Sequence, residues 1–276
     1  MEFTNTYEDD EYASAYAKLE FPGTYYLAFR DLPAIFAAHV TGRKGLDFGC
    51  GAGRSTRFLR KLGFEAVGVD IAEPMVRRAR TIDPEGDYRL VADGDLSALA
   101  DMRFDLVLSA FPFDNIPGAA KKTLLFCDLS RVLSSGGKIV NVVSAPEIYW
   151  HEWLSFSTKD FPENRRAKCG DKVRIINSAL EDKRPVIDIL WPDEDYRDIY
   201  EQSGLKVVGV YKPLGQADEP YDWINETSIA PWVIYVLEKA SVEKVKLASS
   251  ALGYSVFGQA LATVTRRLTA VLSCLS

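Results

Sequence analysis

The sequence predicts an α/β protein: a seven-stranded sheet with helices on both faces and an inserted hairpin. Three observations carry that prediction. From Lys44 onward, short β-branched apolar runs alternate with amphipathic helical stretches, the pattern of parallel strands joined by crossover helices. A glycine-rich segment, GCGAG at 49–53, directly follows the first apolar run and opens a helical stretch. The 276 residues are 47% hydrophobic and 26% charged, which is enough to bury a sizeable core in one main domain with an elaboration.

Taken in order, strands are predicted at GLDFG, EAVGVD, DYRLV, FDLVLSAF and GKIVNVVS. Between the first two, RSTRFLRKLG puts Phe58, Leu59 and Leu62 on one helical face and stops at Gly63, a good C′ residue. EPMVRRARTIDP repeats the plan, with Pro74 near its start and Pro84 past its end. After Ser144 the rhythm breaks. An aromatic insert over 145–192 holds an antiparallel pair, DKVRIIN and RPVIDILW. A helix (DEDYRDIYEQSG) and two strands (LKVVGVYK and APWVIYVLEK) then complete the sheet. This divides the chain into a helical cap over 1–42, a main domain over 43–239 and a tail over 240–276 without an assigned role.

Net charge is −6 and the N-terminus is acidic, which argues against unaided nucleic-acid binding and against a signal peptide, and makes the cytoplasm the default address. Basic runs at Arg54, Arg57, Arg60 and Lys61, and at Arg77, Arg78 and Arg80, read as solvated helix faces. With His39 and His151 alone and no CxxC pair, no metal site is predicted. An uncharged stretch over 248–265 is a weak membrane candidate, and its Ser, Thr, Gly and Ala content favours a loosely packed helix or a partner contact. Oligomeric state is not readable.

A strand ending in a glycine turn that opens a helix presents backbone N–H groups and a helix N-terminus to a ligand. Here the spacing is Gly49, Gly51, Gly53, with Asp47 two positions ahead of the first glycine and Cys50 inside the loop. A carboxylate so close repels a pyrophosphate and suits an ammonium. That D-x-G-x-G-x-G pattern resembles the first motif of class I S-adenosylmethionine-dependent methyltransferases, and the resemblance continues in register. Asp70 ends the second strand about twenty residues after the loop, where a carboxylate accepts ribose hydroxyls. IAEPM resembles the family's next stretch and implies Ile71 and Met75 beside the adenine, though Met75 also reads as plain core. Gly94, Asp95 and Leu96 resemble the adenine-amino element, with Asp93 as the competing acid. The exit of the fourth strand, Ser109, Ala110 and Phe111, would pass beside the sulfonium. The resemblance covers 43–144 well and 193–239 more loosely. It implies a Rossmann-like sheet of order 3-2-1-4-5-7-6 with the last strand antiparallel, the loop glycines making room for the methionine chain of S-adenosyl-L-methionine.

On the acceptor side, the cap folds across the cleft in such enzymes, which implies Tyr16 over the cofactor and Arg30 on its carboxylate; a surface salt bridge is the other reading of Arg30. His151 is the candidate general base, with packing in an aromatic lid as its alternative. Glu147, Asp114 and Asn115 either orient a substrate or cap turns. Tyr149, Trp150, Trp153, Phe156 and Phe161 either cover a flat or apolar small substrate or form a local core under the loop. The function implied is methyl transfer to an O or N atom of a small molecule. Its alternatives are a cofactor-binding protein without methyl transfer and, less favoured by the glycine spacing, an NAD-linked oxidoreductase.

Overall fold

The computed structural model describes residues 9–240. Helices α1 (Asp10–Ala17), α2 (Thr24–Arg30) and α3 (Leu32–His39) precede the sheet. Strand β1 (Lys44–Phe48), helix α4 (Arg54–Lys61), strand β2 (Glu65–Asp70), helix α5 (Glu73–Ile82) and strand β3 (Asp87–Leu90) follow. Strand β4 (Phe104–Ala110), a single turn α6 (Pro112–Asn115), helix α7 (Ala119–Arg131) and strand β5 (Leu133–Ser144) complete the parallel part. The insert carries β6 (Phe156–Ser157), β7 (Lys172–Asn177) and β8 (Val186–Ile189) as an antiparallel three-stranded sheet. Helix α8 (Asp193–Gln202), strand β9 (Leu205–Tyr211) and strand β10 (Trp232–Lys239) finish the described chain.

The main sheet runs β3-β2-β1-β4-β5-β10-β9, with β10 antiparallel to both neighbours. In chain order of its members this is the 3-2-1-4-5-7-6 arrangement that the resemblance implies. Among the described residues no helix is long and apolar enough to cross a membrane. The stretch 248–265 lies outside the described residues.

The near-continuous apolar strands make sense because both faces are covered. On β4 and β5, Val107, Ile139 and Val143 pack with Leu125, Phe126, Leu129 and Tyr200 of α7 and α8. Their neighbours Leu106, Leu108, Val140 and Val142 point the other way, against Leu27, Phe29, Leu32 and Phe36 of the cap. Each fully buried side chain of this kind contributes about 1.5–3 kcal/mol. Helix α4 stops as predicted, with Gly63 at φ 84° after the Leu62 cap.

Polar staples hold the cap and the insert over the C-terminal strand edge. Glu226 is fully buried; its Oε1 accepts from Thr24 Oγ1 (2.7 Å) and Leu154 N–H (2.8 Å), and its Oε2 from Ile224 and Asn225 N–H. Trp232 Nε1–H donates to the Thr24 carbonyl at 2.7 Å. The basic runs keep exposed faces, as read, and some of their arginines also tie the cap down. Arg77 and Arg78 hold Asp10 of α1, and Arg57 holds Glu20.

Candidate functional site

A cavity opens at the carboxyl ends of β1, β2 and β4 and just beyond β3, where an open parallel sheet leaves a crevice between its loops. Gly49, Gly51, Asp70, Ala92, Ala110 and Phe111 are among its walls. The loop glycines all take left-handed backbone, with φ of 74°, 52° and 82° at Gly49, Gly51 and Gly53. Their side-chain freedom is limited for different reasons. A Cβ on Gly49 would lie 2.4 Å from Pro112 Cγ, and one on Gly53 would lie 2.7 Å from the Tyr88 hydroxyl. A Cβ on Gly51 would meet only Met75 Cε, at 3.3 Å. Two of the three glycines are therefore also held by the protein's own side chains, and Gly49 and Gly51 border the cavity whereas Gly53 does not. The expectation that all three make room for a ligand is corrected to that extent.

Two carboxylates flank the loop, Asp70 half-buried and Asp47 fully buried. Asp70 on the cavity wall accepts Gly51 N–H with one oxygen and Ala72 N–H with the other, both at 2.8 Å. It pins the loop and keeps a second lone pair on each oxygen for a ligand hydroxyl. Burial pushes its pKa up, opposed by those backbone bonds. Asp47 is fully buried; its Oδ2 accepts Ser55 and Thr56 Oγ, each at 2.6 Å, from the first turn of α4. Its Oδ1 has no hydrogen-bond partner. Burial pushes this carboxyl up to about 6, against the two hydroxyl bonds that favour the ionised form. An acceptor left unmatched beneath a loop of left-handed glycines suits an ammonium group or its bridging water.

The arginine facing this loop is Arg54, which sequence reading placed on a solvated face. Its guanidinium lies 5.0–5.7 Å from the ring centroids of Tyr16, Phe21, Tyr25 and Phe29. It borders a smaller cavity with Gly49, Cys50, Gly51 and Ser55. Arg30, by contrast, is engaged elsewhere, with Asp31 (2.8 Å), Glu219 (2.8 Å) and the Leu214 carbonyl (2.9 Å), and is on the wall of neither cavity. Arg30 is thus the salt bridge, and the aromatic pattern of the cap was the signal for Arg54. Tyr16 borders both cavities, as anticipated.

At the adenine end, Ile71, Met75, Gly94 and Leu96 are on the wall. Asp95 is not: its Oδ1 caps the next turn by accepting Ser97 N–H at 2.8 Å, and Asp93 takes its place on the wall, paired with Lys121. Ser109 also departs from expectation. It is fully buried on the far face of β4, while Ala110 and Phe111 border the cavity. The Cys50 side chain packs under the loop with Val76 and Tyr88, and burial pushes its thiol well above the usual range.

A second cavity abuts the first and shares Tyr16, Phe111 and Asn115 with it. Phe111 is the one non-glycine at positive φ (75°) among the described residues, a strained position at the junction of the two spaces. Its strain is offset by packing, 4.7 Å from Trp232 and 5.7 Å from Tyr25. Tyr25, Phe156 and Trp232 add further aromatic wall, and Asp114, Asp188 and Ser144 form a polar end. Asp114 Oδ2 accepts Ser144 Oγ at 2.8 Å, and Ser144 N–H lies at 3.1–3.2 Å from both its oxygens. Asp188 accepts Tyr149 O–H at 2.9 Å and Asn115 Nδ2–H at 2.5 Å. Fully buried Lys122 sits behind them, donating to the Phe113 carbonyl. Burial pushes both carboxyls up and the ammonium down; Asp114 is raised further by Asp188, and the attraction of Lys122 opposes the rise.

His151 is not on the wall of either cavity; its ring lies edge-on to Trp153 at 6.2 Å. Glu147 is likewise off both walls. Of the insert's aromatics only Phe156 lines the second cavity, whereas Tyr149 orients Asp188 and Trp153 is fully buried local core. The base role of His151 is therefore set aside on position alone, since a base needs hydrogen-bond reach of the acceptor.

Residues 46–141 match the family model described as a methyltransferase domain. The matched stretch resembles the methyltransferase domains of the S-adenosylmethionine-dependent family. The chain is 36% identical over 110 residues to a malonyl-[acyl-carrier protein] O-methyltransferase of Pseudescherichia vulneris, which spans 38% of this chain and 41% of that one. It is 34% identical over 104 residues to a demethylmenaquinone methyltransferase of Tropheryma whipplei, 37% of this chain and 41% of that one. The match thus spans about two fifths of these relatives' length. In fold it is similar to the CcbJ methyltransferase of Streptomyces caelestis, with a TM-score of 0.61, 18% identity, and coverage of 86% of this chain and 99% of that one. The matched residues end before the insert that closes the second cavity.

Proposed function

We propose that the protein transfers a methyl group from S-adenosyl-L-methionine to a small-molecule acceptor held in the aromatic cavity. The observation that carries this reading is the meeting of the two cavities at Tyr16, Phe111 and Asn115. A methyl donor in the first space then faces an acceptor in the second. Asp47 Oδ1 and the Arg54 guanidinium offer a carboxylate and a cation for the amino and carboxyl ends of the methionine part. Asp70 offers its spare lone pairs to the ribose, and Asp93, Gly94 and Leu96 border the base. When bound, the cofactor supplies an electrophilic methyl on a sulfonium.

The protein's share of the chemistry is placement. In-line displacement needs the nucleophile, carbon and sulfur collinear at near contact, and holding two reactants so removes much of the barrier. Phe111 and Tyr16 narrow the junction and exclude water from it, and their rings favour a sulfonium by cation–π attraction. The test is release of S-adenosylhomocysteine by the purified protein offered S-adenosylmethionine with pooled amines, phenols and carboxylic acids. Acceptor-dependent release with a mass gain of one methylene supports the reading. Cofactor binding without turnover on any pool favours the non-catalytic alternative.

A further inference from the structure

We infer that the second cavity is an amine site: its acceptor is a primary or secondary amine on an apolar or aromatic body, with the nitrogen seated against Asp114 and Asp188. The inference rests on the proposed methyl-transfer reading, since it names the acceptor class of that site.

Three features converge on an amine. The first is the wall: five rings, those of Tyr16, Tyr25, Phe111, Phe156 and Trp232, surround the cavity, an environment that suits both an apolar body and a cation. The second is hydrogen-bond direction. Ser144 gives its N–H and O–H to Asp114, Tyr149 gives its O–H to Asp188, and Asn115 spends Nδ2 on Asp188 Oδ1 and the Ile187 carbonyl. The polar donors beside the carboxylates point into them, so the end of the cavity presents acceptors. An ionised carboxyl has about four acceptor positions, and neither aspartate is saturated. A ligand carboxylate or carbonyl would meet acceptor on acceptor there, whereas a ligand N–H finds a partner.

The third feature is charge. Asp114, Asp188 and Lys122 are buried together, two potential anions facing one cation, with the Tyr149 and Tyr196 phenols held neutral by burial. Lys122 is not on the cavity wall; it lies behind, 5.0 Å from the Trp191 ring and 5.4 Å from that of Tyr196. Fully ionised, the cluster lacks one positive charge, and the opening toward that charge is the aromatic cavity. Without a ligand a proton makes up the difference, which is the direction in which burial and Asp188 push Asp114.

The same arrangement prepares the nucleophile. An amine entering as R–NH3⁺ displaces the resident proton to solvent and then passes one of its own to the Asp114 carboxylate, giving R–NH2 and a neutral carboxyl. Its freed lone pair forms the N–C bond as the C–S bond breaks, and that electron pair stays on sulfur as a neutral thioether. The product, R–NH2⁺–CH3, carries the positive charge that the sulfonium brought. Once the product leaves, the proton on Asp114 is the one that the empty cluster holds, so each turnover releases a single proton, on entry of the ammonium.

The experiment titrates full-length protein saturated with S-adenosylhomocysteine with three probes on one skeleton: phenethylamine, 2-phenylethanol and 3-phenylpropionate. The predicted result is at least tenfold tighter binding of the amine than of the alcohol or acid. That preference should collapse below threefold in Asp114→Asn and in Asp188→Asn, with affinity for S-adenosylhomocysteine changed less than twofold. The wild-type comparison needs no variant, so it stands even if a substitution impairs folding. Binding of the three probes alike, or preference for the alcohol or acid, overturns the amine assignment while leaving methyl transfer intact. Failure of the folded wild type to bind S-adenosylhomocysteine would instead overturn the reading on which the assignment rests.

Discussion

Each of the two cavities has a pair of aspartates on or beside its wall, yet the two are built in opposite ways. Around the glycine loop the carboxylates are bonded locally: Asp47 on one oxygen by hydroxyls eight and nine residues on, Asp70 by the N–H of Gly51 nineteen residues back and that of Ala72 two residues on. Around the aromatic cavity they are satisfied from afar. Asn115 reaches Asp188 across 73 residues, and the cap that closes the space is tied by Thr24 to Glu226 across 202. The first site is a product of one motif, and the second exists only once the insert, the cap and the sheet edge have assembled. On the proposed reading, the difference separates the site of the methyl donor from the site that sets the acceptor.

Six substitutions bear on this contrast, from the largest expected effect to the smallest. Lys122→Met leaves Asp114 and Asp188 buried against each other without a cation, and the lost charge should lower unfolding free energy by about 3–5 kcal/mol. Adding Asp188→Asn should recover part of that loss in urea denaturation. An unchanged midpoint for Lys122→Met would show that the cluster is already neutral. Asp70→Ala removes both a loop anchor and a ligand acceptor, so affinity for S-adenosylhomocysteine should fall roughly a hundredfold, about 3 kcal/mol. Calorimetry on a variant with native circular dichroism reads this, and a loss under threefold would deny Asp70 its place.

Asp47 gives a pH test with a definite sign. Its carboxyl is raised from 3.8 to about 6 on folding, so the stability it contributes is complete below the unfolded value and is lost as pH rises through about 6. Asp47→Asn should therefore stabilise the ligand-free protein at pH 7–8 by up to about 3 kcal/mol, two pK units' worth. The same change should weaken cofactor binding, because the ligand ammonium loses its anion. Wild-type affinity for S-adenosylhomocysteine should fall as pH drops through about 6, and the Asn variant should lose that dependence. A smaller effect separates two arginines. Arg54→Ala should weaken S-adenosylhomocysteine binding about tenfold, the value of a charge-assisted contact, whereas Arg30→Ala should lower thermal stability and leave affinity within twofold.

What was legible in the sequence follows the same division. The α4 stop at Gly63 is a consequence of short-range pattern, and the strand order, the antiparallel last strand and the loop, Asp70, Ile71, Met75, Gly94, Leu96, Ala110 and Phe111 on the wall follow from the resemblance that the local motifs carry. Errors arose where a tight turn or a distant partner decides direction. Asp93 and Asp95 flank one glycine at φ 76°, and the turn sends one carboxylate to the cavity and the other to Ser97. Strand alternation turns Ser109 to the far face. Arg30 was claimed by Glu219 and the Leu214 carbonyl, which no local spacing announces. Asp114 was visible as a candidate at the exit of β4, but Asp188 and Lys122, which give it chemical meaning, come from elements that sequence periodicity describes only as a hairpin and a helix.

The most direct test of the account is isothermal titration of the purified protein with S-adenosylhomocysteine beside NAD, repeated with Asp47→Asn. The account predicts micromolar binding of S-adenosylhomocysteine alone, weakened in the variant at pH 8 and converging with wild type near pH 5. Binding of NAD in its place, or no binding of either by a protein shown to be folded, would contradict it.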